Sequence, residues 1–199
     1  TTYSKSTDVN KFGGRFKYSK ALNIIDDIDT AITSNITRVK IRRNLRAVLN
    51  SFAQYELCFG NQFRINQEGK NIKSTGFTIE GENEIVYITD IPNKDNNGNL
   101  DGSGLGVISI VREDSLRNTV VVVKSAGTVD YIHGEIILTT VNITSTVKEN
   151  NVIEIQAFPD SNDVVGLKDL YLDFSISNTT INMVKDTITS GEQISGVGF

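Results

Sequence analysis

Glu84-Ile-Val-Tyr-Ile-Thr89 and Gly106-Val-Ile-Ser-Ile-Val111, separated by Asn93-Lys-Asp-Asn-Asn-Gly-Asn-Leu-Asp-Gly-Ser-Gly104, decide the class of this fold. Both runs are short and rich in β-branched residues, and both are bounded by Gly, Asn, Asp or Pro, the residues that turns require. The same pattern recurs at Phe77-Thr-Ile79, Val120–Val123, Glu135–Val141 and Val152–Phe158. The gaps between these runs are too short for helical crossovers, so the strands are expected to pair antiparallel through hairpins.

Working outward, the periodicity changes. Leu22, Ile25, Ile28 and Ile32 recur at the spacing of one helical face, which predicts an amphipathic helix from about Ser19, its capping residue, to Ile32. Asp26, Asp27 and Asp29 are then mostly on its wet side. Ile36-Thr-Arg-Val-Lys-Ile-Arg-Arg43 switches to period two and reads as a strand with one basic face. Leu45, Val48, Leu49 and Phe52 would suit a helix, yet Ala53, Tyr55, Leu57 and Phe59 alternate, which favours a strand pair with a bend near Asn50. Towards the other end, Ser177 or Asn178 is placed to cap a second helix containing Ile181, Met183, Val184 and Ile188, stopped by Gly191. The expected fold is therefore α+β: a mostly antiparallel β-sheet or sandwich with one amphipathic helix near each end. Residues 1–17 combine Lys5, Lys11, Arg15 and Lys17 with Tyr3, Phe12 and Phe16 around Gly13-Gly14, and read as an N-terminal arm or a linker. Residues 18–199 read as one α+β domain, with a subdivision near 60–105 left open.

Composition narrows the class. With 199 residues, 38% of them apolar and 22% charged, the chain is long enough to bury a core without staples and is ordinary for a soluble globular domain. One Cys cannot form an internal bridge. The most hydrophobic stretch, Thr119-Val-Val-Val-Val-Lys124, is too short to span a bilayer, so no membrane is expected as a partner. A formal charge of −4 argues against a general nucleic-acid binder. The start at Thr-Thr-Tyr without Met, and the Gly-rich apolar close at Phe199, are what a fragment of a longer polypeptide would show.

Several local features resemble sites. Asp95, Asn97, Asn99 and Asp101 offer oxygen ligands, but Leu100 stands where an EF-hand would need its sharp-turn Gly and no Glu closes the loop, so a solvated hairpin loop is expected and no metal. Gly102-Ser-Gly-Leu-Gly106 precedes a strand, whereas a dinucleotide site needs a helix N-terminus there. His133 and Cys58 have no visible companions for a triad or a zinc site, and no carboxylate pair is marked out, so neither catalysis nor a cofactor is expected. The densest charge feature is Arg38, Lys40, Arg42, Arg43 and Arg46. It has three readings: contact with an acidic neighbour, a charged edge that blocks strand pairing, or an internal partner for Asp26–Asp29.

Tyr131, Gly134, Ile136 and Leu138, followed by Leu170-Tyr-Leu-Asp-Phe-Ser-Ile-Ser177 and Ile181-Asn-Met-Val-Lys-Asp186, resemble the C-terminal part of the baseplate wedge proteins of T4-like contractile-tailed phages, within the baseplate J-like group. The resemblance implies a structural component of the virion tail baseplate, assembled in the host cytoplasm. It implies an assembly module that forms a homodimer and joins wedges into a ring around the tail hub, with itself and other wedge and hub proteins as partners. Arg38, Lys40, Arg42, Arg43, Tyr131 and Tyr171 are the candidate interface residues; Tyr131, Leu170, Tyr171 and Phe174 also read as core, the assignment that alternation along strands favours. The competing class is a β-rich carbohydrate-binding or adhesion module of a tail fibre or surface protein, using the 93–104 loop and aromatic stacking, which the absence of Trp disfavours.

Overall fold

A computed structural model describes residues 3–185. In chain order its elements are β1 (Arg15–Phe16), α1 (Tyr18–Asp26), β2 (Ile41–Arg46), β3 (Phe52–Cys58), β4 (Lys73–Ser74), β5 (Phe77–Ile79), β6 (Glu82–Pro92), β7 (Leu105–Glu113), β8 (Thr119–Asp130), β9 (Glu135–Thr146), β10 (Val152–Ala157) and β11 (Val164–Val165). Every named pairing is antiparallel. The largest sheet runs β3-β9-β5-β6-β7-β8, and β8 returns to pair with β9, so the sheet closes into a barrel. A three-stranded sheet, β2-β10-β4, lies beside it in the same hydrophobic core, and β1 pairs with β11.

Alternation builds that core. In β10, Ile153, Ile155 and Ala157 are buried while Val152, Glu154 and Gln156 are half-buried, as a period of two requires. In β6, Val86 and Ile88 point in while Ile85 and Tyr87 point out. Phe63, Ile72, Phe77, Ile110, Ile136 and Ile143 complete the fully enclosed centre.

The expected α+β architecture is overturned: the chain is mostly β, its sheet closes into a barrel, and α1 is the single α-helix among the described residues. Closure depends on irregularities that bend the strands, such as the register shifts around Ile108–Val111 between β7 and β8 and the shift between Ala53 and Tyr55 on β3. The helix expected near the C-terminal end does not form over the described residues. Ile176–Asn178 make one 3-10 turn and residues 179–185 have no regular structure. Ile181, Met183 and Val184 are 82%, 88% and 81% exposed, so the apolar stripe has nothing to pack on, and most helical stability comes from such packing. Thr179, Thr180 and Ile181 add β-branched residues with low helix propensity. Ile188 and Gly191 lie outside the described residues.

The first helix exists but is shorter than expected, ending at Asp26, and Lys17 rather than Ser19 occupies the capping position without a side-chain bond. Asp26, Asp27 and Asp29 are exposed. The basic strand begins at Ile41, with residues 36–40 irregular. The bend near Asn50 is present, with φ +54° at that residue, but β2 and β3 part there: β2 pairs with β10 and β3 with β9.

Candidate assembly surface

Strand alternation divides the basic cluster. Arg43 shares the inner face of β2 with Ile41 and Leu45, opposite Ile155. Arg42 and Arg46 share the outer face, opposite Gln156 and Val152. Arg42 Nη1 donates to Glu154 Oε1 at 3.0 Å, and Lys148 Nζ lies 3.7 Å from the other oxygen of that carboxylate. Lys40 precedes the strand and sits over the Phe158 ring, 5.1 Å from its centroid. Arg38 is exposed. Opposite Gln156 on its other side lies Lys73 of β4. Lys73 and Lys148 escaped the sequence reading because they are far away in sequence; register places Lys73 on this face with Arg42, and the contact with Glu154 places Lys148 there.

Tyr131 and Tyr171 occupy opposite environments. Tyr131 is 0% exposed, and its hydroxyl donates to Asp90 Oδ2 at 2.7 Å. The backbone N–H of Ile72 donates to Asp90 Oδ1 at 2.6 Å. Gly106 lets this ring fit: a Cβ there would stand 2.9 Å from Tyr131 Cε2 and 2.7 Å from Ile91 O. Asp90 continues the inward phase of Val86 and Ile88, a signal present in the alternation of β6. Burial raises its pKa above the ordinary carboxylate value, partly offset by the Ile72 and Tyr131 hydrogen bonds. Burial, and then the Asp90 charge, push the Tyr131 phenol well upward. The pair is enclosed by protein, so it ties β6 to the β8–β9 corner and presents no group to a solvent-borne substrate.

His133 is exposed beside Asp130, whose carboxylate accepts the His133 backbone N–H at 2.9 Å and lies 2.8 Å from Nδ1; that contact raises the imidazole pKa. Cys58 Sγ lies 3.7 Å from Glu135 Oε1. In the β6–β7 loop, Asp95 Oδ1 accepts the N–H groups of Asn97 and Asn99, and Asp101 Oδ1 accepts that of Ser103. These carboxylates shape their own turns.

At the two ends of the described chain, aromatic side chains meet. Tyr3, Phe16 and Phe174 form one group, with Phe16 and Phe174 centroids 5.5 Å apart. Phe12 and Tyr171 pack edge to face at 6.2 Å, yet remain 69% and 59% exposed. Backbone bonds from Gly13 N to Leu167 O and from Gly166 N to Gly14 O, at 3.1 and 2.7 Å, fasten the same region. Leu170 is half-buried. Phe12 and Tyr171 make an exposed aromatic pair, and Ile28, Ile36 and Ile176 are further exposed apolar residues of the two end segments.

No curated protein matches the chain. Residues 1–44, which carry Phe12, α1 and the start of the basic strand, match the family described as baseplate structural protein gp6, C-terminal domain III, and this similarity supports a structural role in a phage tail baseplate.

Proposed function

We propose that this chain is an assembly module of a contractile phage tail baseplate that pairs with a second copy of itself and helps to join wedges into a ring around the tail hub. The observation that carries the reading is the baseplate family match over residues 1–44, the stretch in which Phe12, Ile28 and Ile36 are left exposed. Burying such residues against a neighbour would remove apolar surface from water, at about 25 cal/mol per Å². A two-fold contact would use one patch twice. In this reading Arg38, Lys40, Arg42 and Tyr171 contribute to contacts between chains, while Tyr131 and Arg43, the latter on the inner face of β2, support the surface from within. Residues 1–17 act as an arm held to the assembly domain, residues 18–199, by the β1–β11 pairing. Other wedge and hub proteins are the further partners, and assembly takes place in the host cytoplasm.

Light scattering after size exclusion, across a dilution series, tests self-association. A dimer that persists at micromolar concentration is expected. A strict monomer at high concentration would sink the self-pairing reading.

A further inference from the structure

The outer face of the β2-β10-β4 sheet gathers Lys40, Arg42, Arg46, Lys73 and Lys148 around one carboxylate, Glu154. Register puts Arg42, Gln156 and Lys73 in one row across the three strands, with Asn44 beside Glu154 and Arg46 beside Val152. Glu154 is already engaged by Arg42 and Lys148, and only 13% of its side chain is exposed. Among the described residues, Arg46 and Lys73 form no ion pair. A chain of formal charge −4 has thus concentrated five cations on one face of a small sheet.

We propose that this face docks an acidic segment of another protein. Holding like charges together is unfavourable unless carboxylates from outside offset them, and a patch of one sign steers a partner of the other. Arg42 and Lys73 are two strand spacings apart, about 10 Å, and Arg46 lies four residues along β2, about 13 Å from Arg42. That footprint fits a short run of carboxylates. A nucleic acid fits less well: the Phe158 ring beside the cluster is covered by Lys40, and the remainder of the chain is net acidic and repels a long polyanion. The inference rests on charge and register alone, independently of self-pairing.

Fluorescence anisotropy of a short fluorescein-labelled oligoglutamate peptide, titrated with the whole chain at near-physiological salt, tests it. Binding is expected to weaken at least about tenfold in R46E/K73E, and to stay within about twofold in K94E, whose site is the β6–β7 loop. Far-UV circular dichroism checks folding; if R46E/K73E does not fold, the neutral pair R46Q/K73Q carries the test, with a smaller loss expected. Unchanged binding in the folded variant overturns the proposal. So does duplex DNA displacing the peptide at lower concentration than unlabelled oligoglutamate does, which would assign the face to nucleic acid.

Discussion

The barrel and the unit built from the two ends of the described chain treat apolar residues differently. In the barrel, Phe63, Phe77, Ile108, Ile136 and Ile143 are almost completely enclosed, and strands of up to twelve residues pair around a closed circuit. At the ends, β1 and β11 are two residues each, and Phe12, Ile36 and Ile181 face solvent. The barrel closes its ladder and encloses its inward side chains, while Phe52, Ile85 and Val121 on its strands stay exposed. The end unit leaves apolar surface unburied, and it contains most of the family match. Stability and association should therefore respond to different substitutions.

The largest expected effect is Phe63→Ala, which should cost about 3–5 kcal/mol in urea denaturation because it empties a fully buried site. A loss near zero would break the contrast at its stronger end. Tyr131→Phe is expected to cost about 1–3 kcal/mol, since buried Asp90 loses a hydrogen-bond donor.

The same pair sets a pH dependence. The folded-state pKa of Asp90 is raised above its unfolded value near 3.8, so the folded state holds the proton more tightly. Its contribution is fully present below that value and is lost as pH rises through the folded pKa. Asp90→Asn should flatten this slope, which denaturation midpoints across the acidic range would reveal; an unchanged slope would remove Asp90 as its source.

Glu154→Gln weakens the contacts to Arg42 and Lys148, and should cost about 1 kcal/mol on the partly exposed sheet. The smallest stability effect is expected at Phe12→Ala, under about 1 kcal/mol, because the ring is mostly in water. Under the self-pairing proposed above, its expected readout is instead weaker association by light scattering. A large stability loss with unchanged association would invert the comparison between the two regions.

Strand existence was legible wherever a short β-branched run stands between turn residues, as in Phe77–Ile79 and the central part of β7. Strand ends were less so: Ser125-Ala-Gly127 looks like a turn, yet β8 runs through it to Asp130. Barrel closure was hidden because it depends on which strand returns to β9, and on bulges whose positions have no fixed residue signature. Over the described residues the second helix is absent, because amphipathic spacing promises a helix only where a surface waits to cover it. At the candidate surface, Arg42 and Arg46 were visible as a run of charge. Lys73 and Lys148 required β4 and the β9–β10 connection to be brought alongside, and Arg43 was separated from its neighbours by a one-residue step that turned it inward.

The antiparallel stem of β2 and β10 also determines how the molecule responds to tension. Chain entering at Ile41 and leaving at Ala157 does so at one registered pair, and the ladder continues to Arg46 and Val152, followed by the Ala47 N to Asn151 O bond at 2.7 Å. A force drawing the two flanking segments apart therefore first meets the β1–β11 pairing and the Arg64 N to Phe158 O bond, and then opens the stem pair by pair from Ile41–Ala157 towards the Ala47–Asn151 bond.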